Sequence, residues 1–368
     1  MATIGATAPS SNTVNYDALL TATLFNYRPV MVDNIFKSSA ALAALRKYGG
    51  IRYVDGGERI QELLMYGSND TFKSYRGYES LTLKPQDGMT SAFFPWSEIG
   101  GTIVISRLEE RQNSGESRIL SLLEQKVKQA EMSIKELVNT QVIQGTVSSS
   151  TFVPGNSAKD LFPLGYFLPK DNTASPVAGG EVGNIARGTY SWWRPHTATF
   201  GSGTKDTGNS FALSVSTYAG LRVGLYRMYN YCSRGAGGDA PNIVICNQET
   251  YETYENSLDQ LKRYYQDDDL VSMGFDNIKL KGATMIWDEL VPDIYTGTAA
   301  LTKGSAFFLN TNYYKLVIDK ETDFITTPFL ENQEQTARAA KCLFMGQATV
   351  NNLRKLGVCY NISLSITS

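Results

Sequence analysis

A single histidine, His196, bounds the chemistry open to this chain of 368 residues. Hydrolysis through a Ser-His-Asp or Cys-His arrangement needs an imidazole as base, and only this one could serve. It stands in Trp192-Trp193-Arg194-Pro195-His196, where packing or hydrogen bonding is the commoner role. The run Gly201-Ser202-Gly203-Thr204-Lys205 faintly suggests a phosphate cradle, but it fails the G-x-x-x-x-G-K-[ST] spacing and reads better as a surface loop. Asp267-Asp268-Asp269 could draw a divalent cation, yet the glycine and distal glutamate of a calcium loop are missing, so a solvated turn is the better reading. The pairs Trp192-Trp193, Tyr264-Tyr265 and Tyr313-Tyr314 could stack nucleobases, but no basic stripe is interleaved with them and packing is the simpler role. The cysteines at 232, 246, 342 and 359 are scattered, with no C-x-x-C pair, and read as free buried thiols in a reducing cytosol. No base, nucleophile and orienting group converge, so no catalytic, cofactor-binding or metal-binding residue is assigned, no cofactor is expected, and the chain reads as a non-enzyme.

Composition narrows the field further. Hydrophobic content of 42% and charged content of 19% suit an ordered chain of two or three compact parts. Lys plus Arg is 34 and Asp plus Glu is 36, a formal net charge of 34 − 36 = −2. Binding nucleic acid through phosphates draws on a surplus of basic residues, so contact with DNA is expected to be weak and blind to sequence. No apolar run approaches the roughly 20 residues that span a bilayer, and residues 1–15 carry no apolar signal core. No membrane partner is expected.

The elements that must position the rest are uneven. Residues 1–27 are rich in Ala, Thr, Ser and Asn and read as an arm ordered by neighbours, through Tyr16, Leu19, Leu20, Leu24 and Phe25. A short helix is expected over 33–48, ended by Gly49-Gly50. Residues 58–66 and 92–99 read as strand-like runs, the second continuing through 103–105. Between them, 67–89 is polar and aromatic, with Phe72, Lys73, Tyr75, Arg76, Tyr78 and Glu79. A loop of that length without its own core points to function or to a partner. A two-stranded ribbon is marginal alone and needs something to lie on.

The clearest helix spans 116–144, about 29 residues and about 43 Å, with Asn113 and Glu116 as a capping box. Ile119, Leu122, Leu123, Val127, Ala130, Ile134, Leu137 and Val138 recur at helical spacing. Among them Ile119, Leu123, Val127, Ile134 and Val138 are taken as its structural core. Residues 146–210 are Gly-, Ser- and Pro-rich with one apolar island, 161–168. A helix from about 216, a buried strand over 242–246, a helix over 250–265 and strands over 280–287 and 305–319 suggest an α/β lobe. Residues 346–367 return as a strand-rich tail.

In that order the parts resemble the Johnson fold of tailed-phage major capsid proteins, an α+β architecture. The resemblance rests on GGERIQELLMYGSNDTFKSY, WSEIGGTIVISRLEERQNSGESRILSLLEQKVKQAE, GFDNIKLKGATMIWDELVP and FLNTNYYKLVIDKETDF, and covers about 50–145 and 215–355. It implies an amino-terminal arm over 1–50 and an extended two-stranded loop with flanking strands over 51–105. It implies a peripheral domain over 106–240 around the spine helix, an axial domain over 241–325, and a return to the peripheral domain over 326–368. The implied function is a major capsid protein that assembles as hexamers and pentamers into an icosahedral phage head around double-stranded DNA. Its partners would be copies of itself, a separate scaffolding protein, a portal and decoration proteins. The implied place is the virion, assembled in the host cytoplasm. Encapsulins, shells around protein cargo, share the resemblance and stand as the alternative. A hydrolase using His196 is the distant one.

Overall fold

The computed structural model describes residues 40–112, 122–145, 159–169, 181–200, 210–213, 217–234, 239–258, 277–291, 304–331 and 336–362. In chain order the elements begin α1 (Ala40–Lys47), β1 (Ile51–Val54), β2 (Ile60–Met65), β3 (Met89–Phe94), β4 (Ser97–Ser106), α2 (Arg107–Gln112) and α3 (Leu122–Ile143). There follow α4 (Leu164–Phe167), β5 (Glu181–Val182), β6 (Ile185–Ala186), β7 (His196–Phe200), β8 (Ser210–Leu213) and α5 (Tyr218–Ser233). The remainder is β9 (Ile243–Cys246), α6 (Gln248–Leu258), β10 (Asn277–Leu280), β11 (Ala283–Trp287), β12 (Gly304–Leu309), β13 (Tyr314–Asp319), β14 (Ile325–Thr326), β15 (Leu330–Glu331), β16 (Ala337–Val350) and β17 (Gly357–Ile362). The chain forms two compact units, one holding Ile99–Glu136 and Phe324–Phe344, the other Ser38–Glu98, Leu137–Asp323 and Met345–Ser368.

The larger unit is built on a seven-stranded sheet of order β10-β11-β9-β12-β17-β7-β8. Its central strands β9 and β12 are buried at every position, as strands covered on both faces are. Alternation then splits them between two cores. Ile243, Ile245, Phe307, Leu309 and Val358 join one, while Val244, Cys246, Ala306, Phe308 and Cys359 join the other. Helices α5 and α6 cover the second core with Leu221, Leu225, Met228, Tyr251 and Tyr254. The first core receives α1, the 161–168 island and the inner face of the β2–β3 ribbon. The lobe read over 241–325 does not make this sheet alone. Strands β7, β8 and β17, from either side of it in sequence, complete the sheet. Thr217 caps α5 by accepting from Gly220 N at 3.2 Å, one residue beyond the start expected near 216.

Beside this sheet, β1 pairs in parallel with β13, and β13 antiparallel with β16 from Tyr314↔Val350 to Ile318↔Gly346. In the smaller unit, β16 pairs with β14 at Leu343↔Ile325, with β15 at Ala339↔Leu330, and with β4. Ile99, Ile103 and Ile105 alternate inward along β4 and are buried, as are Cys342 and Phe344. Lys126 on α3 meets Glu109 on α2 at 2.9 Å, and Glu109 also accepts from Ser106 N.

Two expectations change. The strand-like run read over 92–105 is two strands, β3 and β4, interrupted at Pro95-Trp96, because proline has no N–H for a ladder. The apolar stripe of the long helix is narrower than its spacing suggests. Ile134 is 5% exposed and Val138 is buried, Val127 is half-buried, and Leu137 is 42% exposed. The described helix α3 has 22 residues, a length of about 33 Å. The capping box and Ile119 lie outside the described residues, as do the side chain of Leu123 and the first turns of the 33–48 helix.

Ile134→Asp is therefore expected to destabilise the unassembled subunit by about 3–5 kcal/mol, since a carboxylate would be forced into the interior. Leu137→Asp, on the exposed side, should stay within about 0.5 kcal/mol. Urea denaturation followed by far-UV circular dichroism checks both. Equal losses would show that Leu137 is a core residue.

Candidate functional site

Strands β2 and β3 pair in register from Ile60↔Phe94 to Met65↔Met89, and the chain between them, 66–88, projects from their far end. The ribbon has two unlike faces. Ile60, Glu62, Leu64, Ala92 and Phe94 point inward and are buried. Leu63 and Met65 point the other way, each 79% exposed, beside an exposed Met89. Residues directly opposite in an antiparallel pair share a face, so Met65 and Met89 form one bare apolar strip with Leu63.

One charged residue sits on the inner face. Glu62 accepts from Arg52 at 2.9 Å and from Thr349 Oγ1 at 3.3 Å, which fastens the ribbon to strands β1 and β16. Trp96 Nε1 donates to Gly57 O at 2.8 Å and closes the base of the ribbon.

The loop tip is held only by local bonds. Asn69 Oδ1 accepts from Thr71 N at 2.8 Å, Glu79 N donates to Arg76 O at 3.3 Å, and Tyr66 N donates to Gly88 O at 2.9 Å. Phe72 is 85% exposed, Leu83 is 99% exposed, and Tyr75 and Tyr78 are also open to solvent. Lys73, Arg76 and Glu79 are exposed beside them. Six predicted site residues therefore share one projecting segment. The arm residues Tyr16, Leu19, Leu20, Leu24 and Phe25 lie outside the described residues.

The interval that sequence left without a role supports the ribbon. In 159–168, Phe162 N donates to Gln347 Oε1 at 2.8 Å and Leu161 N to Gln141 Oε1 at 3.2 Å. Ser97 Oγ, which receives Gln347 Nε2, donates in turn to Asp160 O at 2.9 Å. These buried polar groups are satisfied by one another, as burial requires. Phe162 stacks on Tyr166 at 4.3 Å, and Phe94 of the ribbon sits near Phe162 and Phe167. Burial pushes the Tyr166 hydroxyl up to about 12, against the opposing pull of Arg187. Arg187 is fully buried and donates to Phe167 O and Tyr166 O at 3.1 and 3.2 Å. Nothing about Gly183 or Arg187 marks them in sequence, and Trp192 stands out there only as half of a packing pair. The only hint was an apolar island in a Gly- and Ser-rich stretch, which had to find a core.

The residues weighed for chemistry do not assemble a reaction centre. His196 is buried in β7, its ring edge-on to Tyr231 at 5.6 Å, and burial denies it access to a substrate. Trp193 and Tyr314 are core residues, and Trp192 stacks on Tyr66 at 5.1 Å. The 201–205 and 267–269 runs and Tyr264-Tyr265 lie outside the described residues. No group of metal-ligating side chains and no helix long and apolar enough to cross a membrane is found among the described residues. All the cysteines are buried and free, and burial pushes the thiols of Cys232, Cys246 and Cys359 up.

No known family's sequence profile matches the chain, and no curated protein matches it. Solved structures do. The chain is similar to the cyanophage A-1(L) capsid asymmetric unit, with a TM-score of 0.62 and 14% identity over 96% of this chain and 99% of that one. It is similar to the capsid of the native GTA particle, with a TM-score of 0.54 and 13% identity over 92% of this chain and 96% of that one. It is also similar to the SrpI encapsulin complex from Synechococcus elongatus, with a TM-score of 0.50 and 8% identity over 91% of this chain and 94% of that one. The fold is the Johnson fold of tailed-phage capsid proteins and encapsulins.

Buried thiolates cannot be formed cheaply, so a thiol-reactive probe should modify no cysteine quickly in the native chain and all 4 in denaturant. Absorbance of the released reporter measures this. A fast-reacting thiol under native conditions would show that one of these sites is open to solvent.

Proposed function

We propose that the chain is the major capsid protein of a tailed phage, tiling an icosahedral head as hexamers and pentamers around double-stranded DNA. The observation that carries this reading is the β2–β3 ribbon with its projecting loop. A segment presenting Phe72, Tyr75, Tyr78 and Leu83 to water, with no core of its own, leaves apolar surface that a neighbouring copy would cover. The fold supports the same reading, since it is the one adopted by the phage capsid structures above.

The contact would be heterologous, loop of one copy against a different surface of the next, and such contacts close a shell only when their geometry is fixed. The arm, through Tyr16, Leu19, Leu20, Leu24 and Phe25, would supply a second contact. Further copies of the chain are the principal partners. A separate scaffolding protein, a portal, decoration proteins and packaged DNA held without sequence specificity complete the proposed set, with assembly in the host cytoplasm and the virion as destination. The role is structural, not catalytic.

An encapsulin-type shell is the second reading, favoured by the similarity to the SrpI encapsulin. Electron microscopy of the purified chain tests both. Closed particles protecting DNA from nuclease support the phage head, and particles with a co-purifying protein cargo support the encapsulin. Soluble subunits that form no particles, alone or with co-expressed phage head proteins, would overturn the shell reading.

Arg76→Glu reverses a charge on the projecting loop. At an open surface such a change costs about 0–1 kcal/mol, but in a partly desolvated contact it costs more. The variant is expected to keep the circular dichroism spectrum of the parent and to lose most particle formation by sedimentation. A variant that instead fails to fold would place the loop in a subunit core.

A further inference from the structure

The described part of this interval, residues 159–169 and 181–195, meets the base of the ribbon through three contacts. The first is a backbone bond. Phe93 N donates to Gly183 O at 3.2 Å, from the edge of β3 that faces away from β2. The turn between β5 and β6 thus adds a bond to a strand edge that would otherwise be unpaired.

The second contact is steric. Gly183 has φ +61, and a Cβ there would lie 2.6 Å from Ala92 Cβ and 3.2 Å from the Phe94 ring. Only a glycine adopts this backbone freely and also lets the turn come so near the ribbon. The third is aromatic. Trp192 stacks on Tyr66 at 5.1 Å with 17° between the planes, at the point where β2 gives way to the loop. Tyr66 OH also donates to Asp87 O, so the stacked ring bridges the two ends of the loop.

The segment is itself stiff. Trp193 Nε1 donates to Val182 O at 3.0 Å and Tyr166 OH to Glu181 O at 3.0 Å, which tie the β5–β6 turn to its flanks. Arg194 Nε donates to Arg187 O at 2.6 Å, and Arg187 bonds the carbonyls of α4. A charged side chain buried on backbone carbonyls holds that backbone in one arrangement.

From these contacts we infer that residues 159–169 and 181–195 form a bracket that fixes the direction of the projecting loop, with Gly183 and Trp192 as its positioning residues. The bracket acts before any neighbour arrives. It leaves the tip and the Leu63, Met65 and Met89 strip uncovered, so its work is to aim the segment and not to hide it. This inference rests on the assembly reading for its purpose, but not for its test.

Hydrogen exchange followed by mass spectrometry on the full chain, purified as unassembled subunits or capsomers, reads the bracket directly. In Trp192→Ala, peptides covering 60–66 and 89–94 are expected to exchange about tenfold faster, because loss of the stack opens the ribbon locally. Peptides covering β9 and β12 should keep their parent rates. Trp192→Phe, which retains a ring over Tyr66, should restore most of the protection. If Trp192→Ala does not fold, Trp192→Leu gives the same comparison with less loss of packing.

Unchanged exchange in the ribbon would overturn the bracket, and so would an equal rise across the central sheet, which would mark Trp192 as an ordinary core contributor. None of these readouts depends on particles. Absence of particles from the parent chain would count against the shell reading and leave the bracket standing.

Discussion

A two-stranded ribbon cannot stand in water by its own hydrogen bonds, and this chain carries one that ends in a projecting loop of more than twenty residues. Much of the larger unit is arranged so that the inner face of that ribbon has a surface to lie on. Ile60, Leu64, Ala92 and Phe94 enter the same core as α1, β9, β12 and the 161–168 island. Glu62 is satisfied by Arg52 and Thr349, so the one charge on that face is anchored instead of stranded. Without this face the outer strip and the tip would have no fixed direction. The core's alternation therefore serves two ends. One register of the central strands closes over the helices α5 and α6, and the other supports the ribbon.

The parts of the fold written in periodicity were legible from sequence. The ribbon, the described part of the long helix, the strand expected over 242–246 and the helix expected from about 216 all follow from apolar spacing and turn residues. The parts set by tertiary choice were not. Leu137 obeys the helical spacing of Ile134 and Val138 yet faces solvent, because spacing names a stripe and not its edges. Strands β7, β8 and β17 join a sheet whose other members lie far from them in sequence, and no local pattern announces a non-local neighbour. The six loop residues were singled out because their segment lacks a core, and the structure leaves them exposed. Gly183 was missed, and Trp192 was read only as packing, because a single sequence does not show contacts such as those with Ala92 and Tyr66.

Among the described residues, the singular side chains are spent on architecture. His196 is buried against Tyr231, Arg187 holds backbone carbonyls, and the thiols are sealed in the cores. Buried polar side chains such as Gln141, Gln347 and Ser97 satisfy each other while fixing where 159–168 begins. Such networks specify one arrangement out of several with similar burial.

The division between a held base and a bare tip also sets where the entropic cost of ordering falls. Fixing a residue's backbone costs about 1–2 kcal/mol, and a loop that had to order itself on contact would spend most of its interface energy on that alone. Burying an exposed Leu, Met or Phe yields about 1.5–3 kcal/mol. The Leu63, Met65 and Met89 strip lies on strands already paired and already pinned at Phe93 and Tyr66. Covering it with a neighbour would therefore return nearly the whole gain to association, because folding has met the ordering cost beforehand. The tip, 67–88, is different. Its bonds are local, so its ordering is left to the contact, and the residues that would supply the return are the aromatic and long apolar ones placed there, Phe72, Tyr75, Tyr78 and Leu83. Under the proposed assembly, a rigid base with an adaptable end would suit contacts repeated around rings of five and of six, the base keeping one direction in every copy and the tip absorbing the differences.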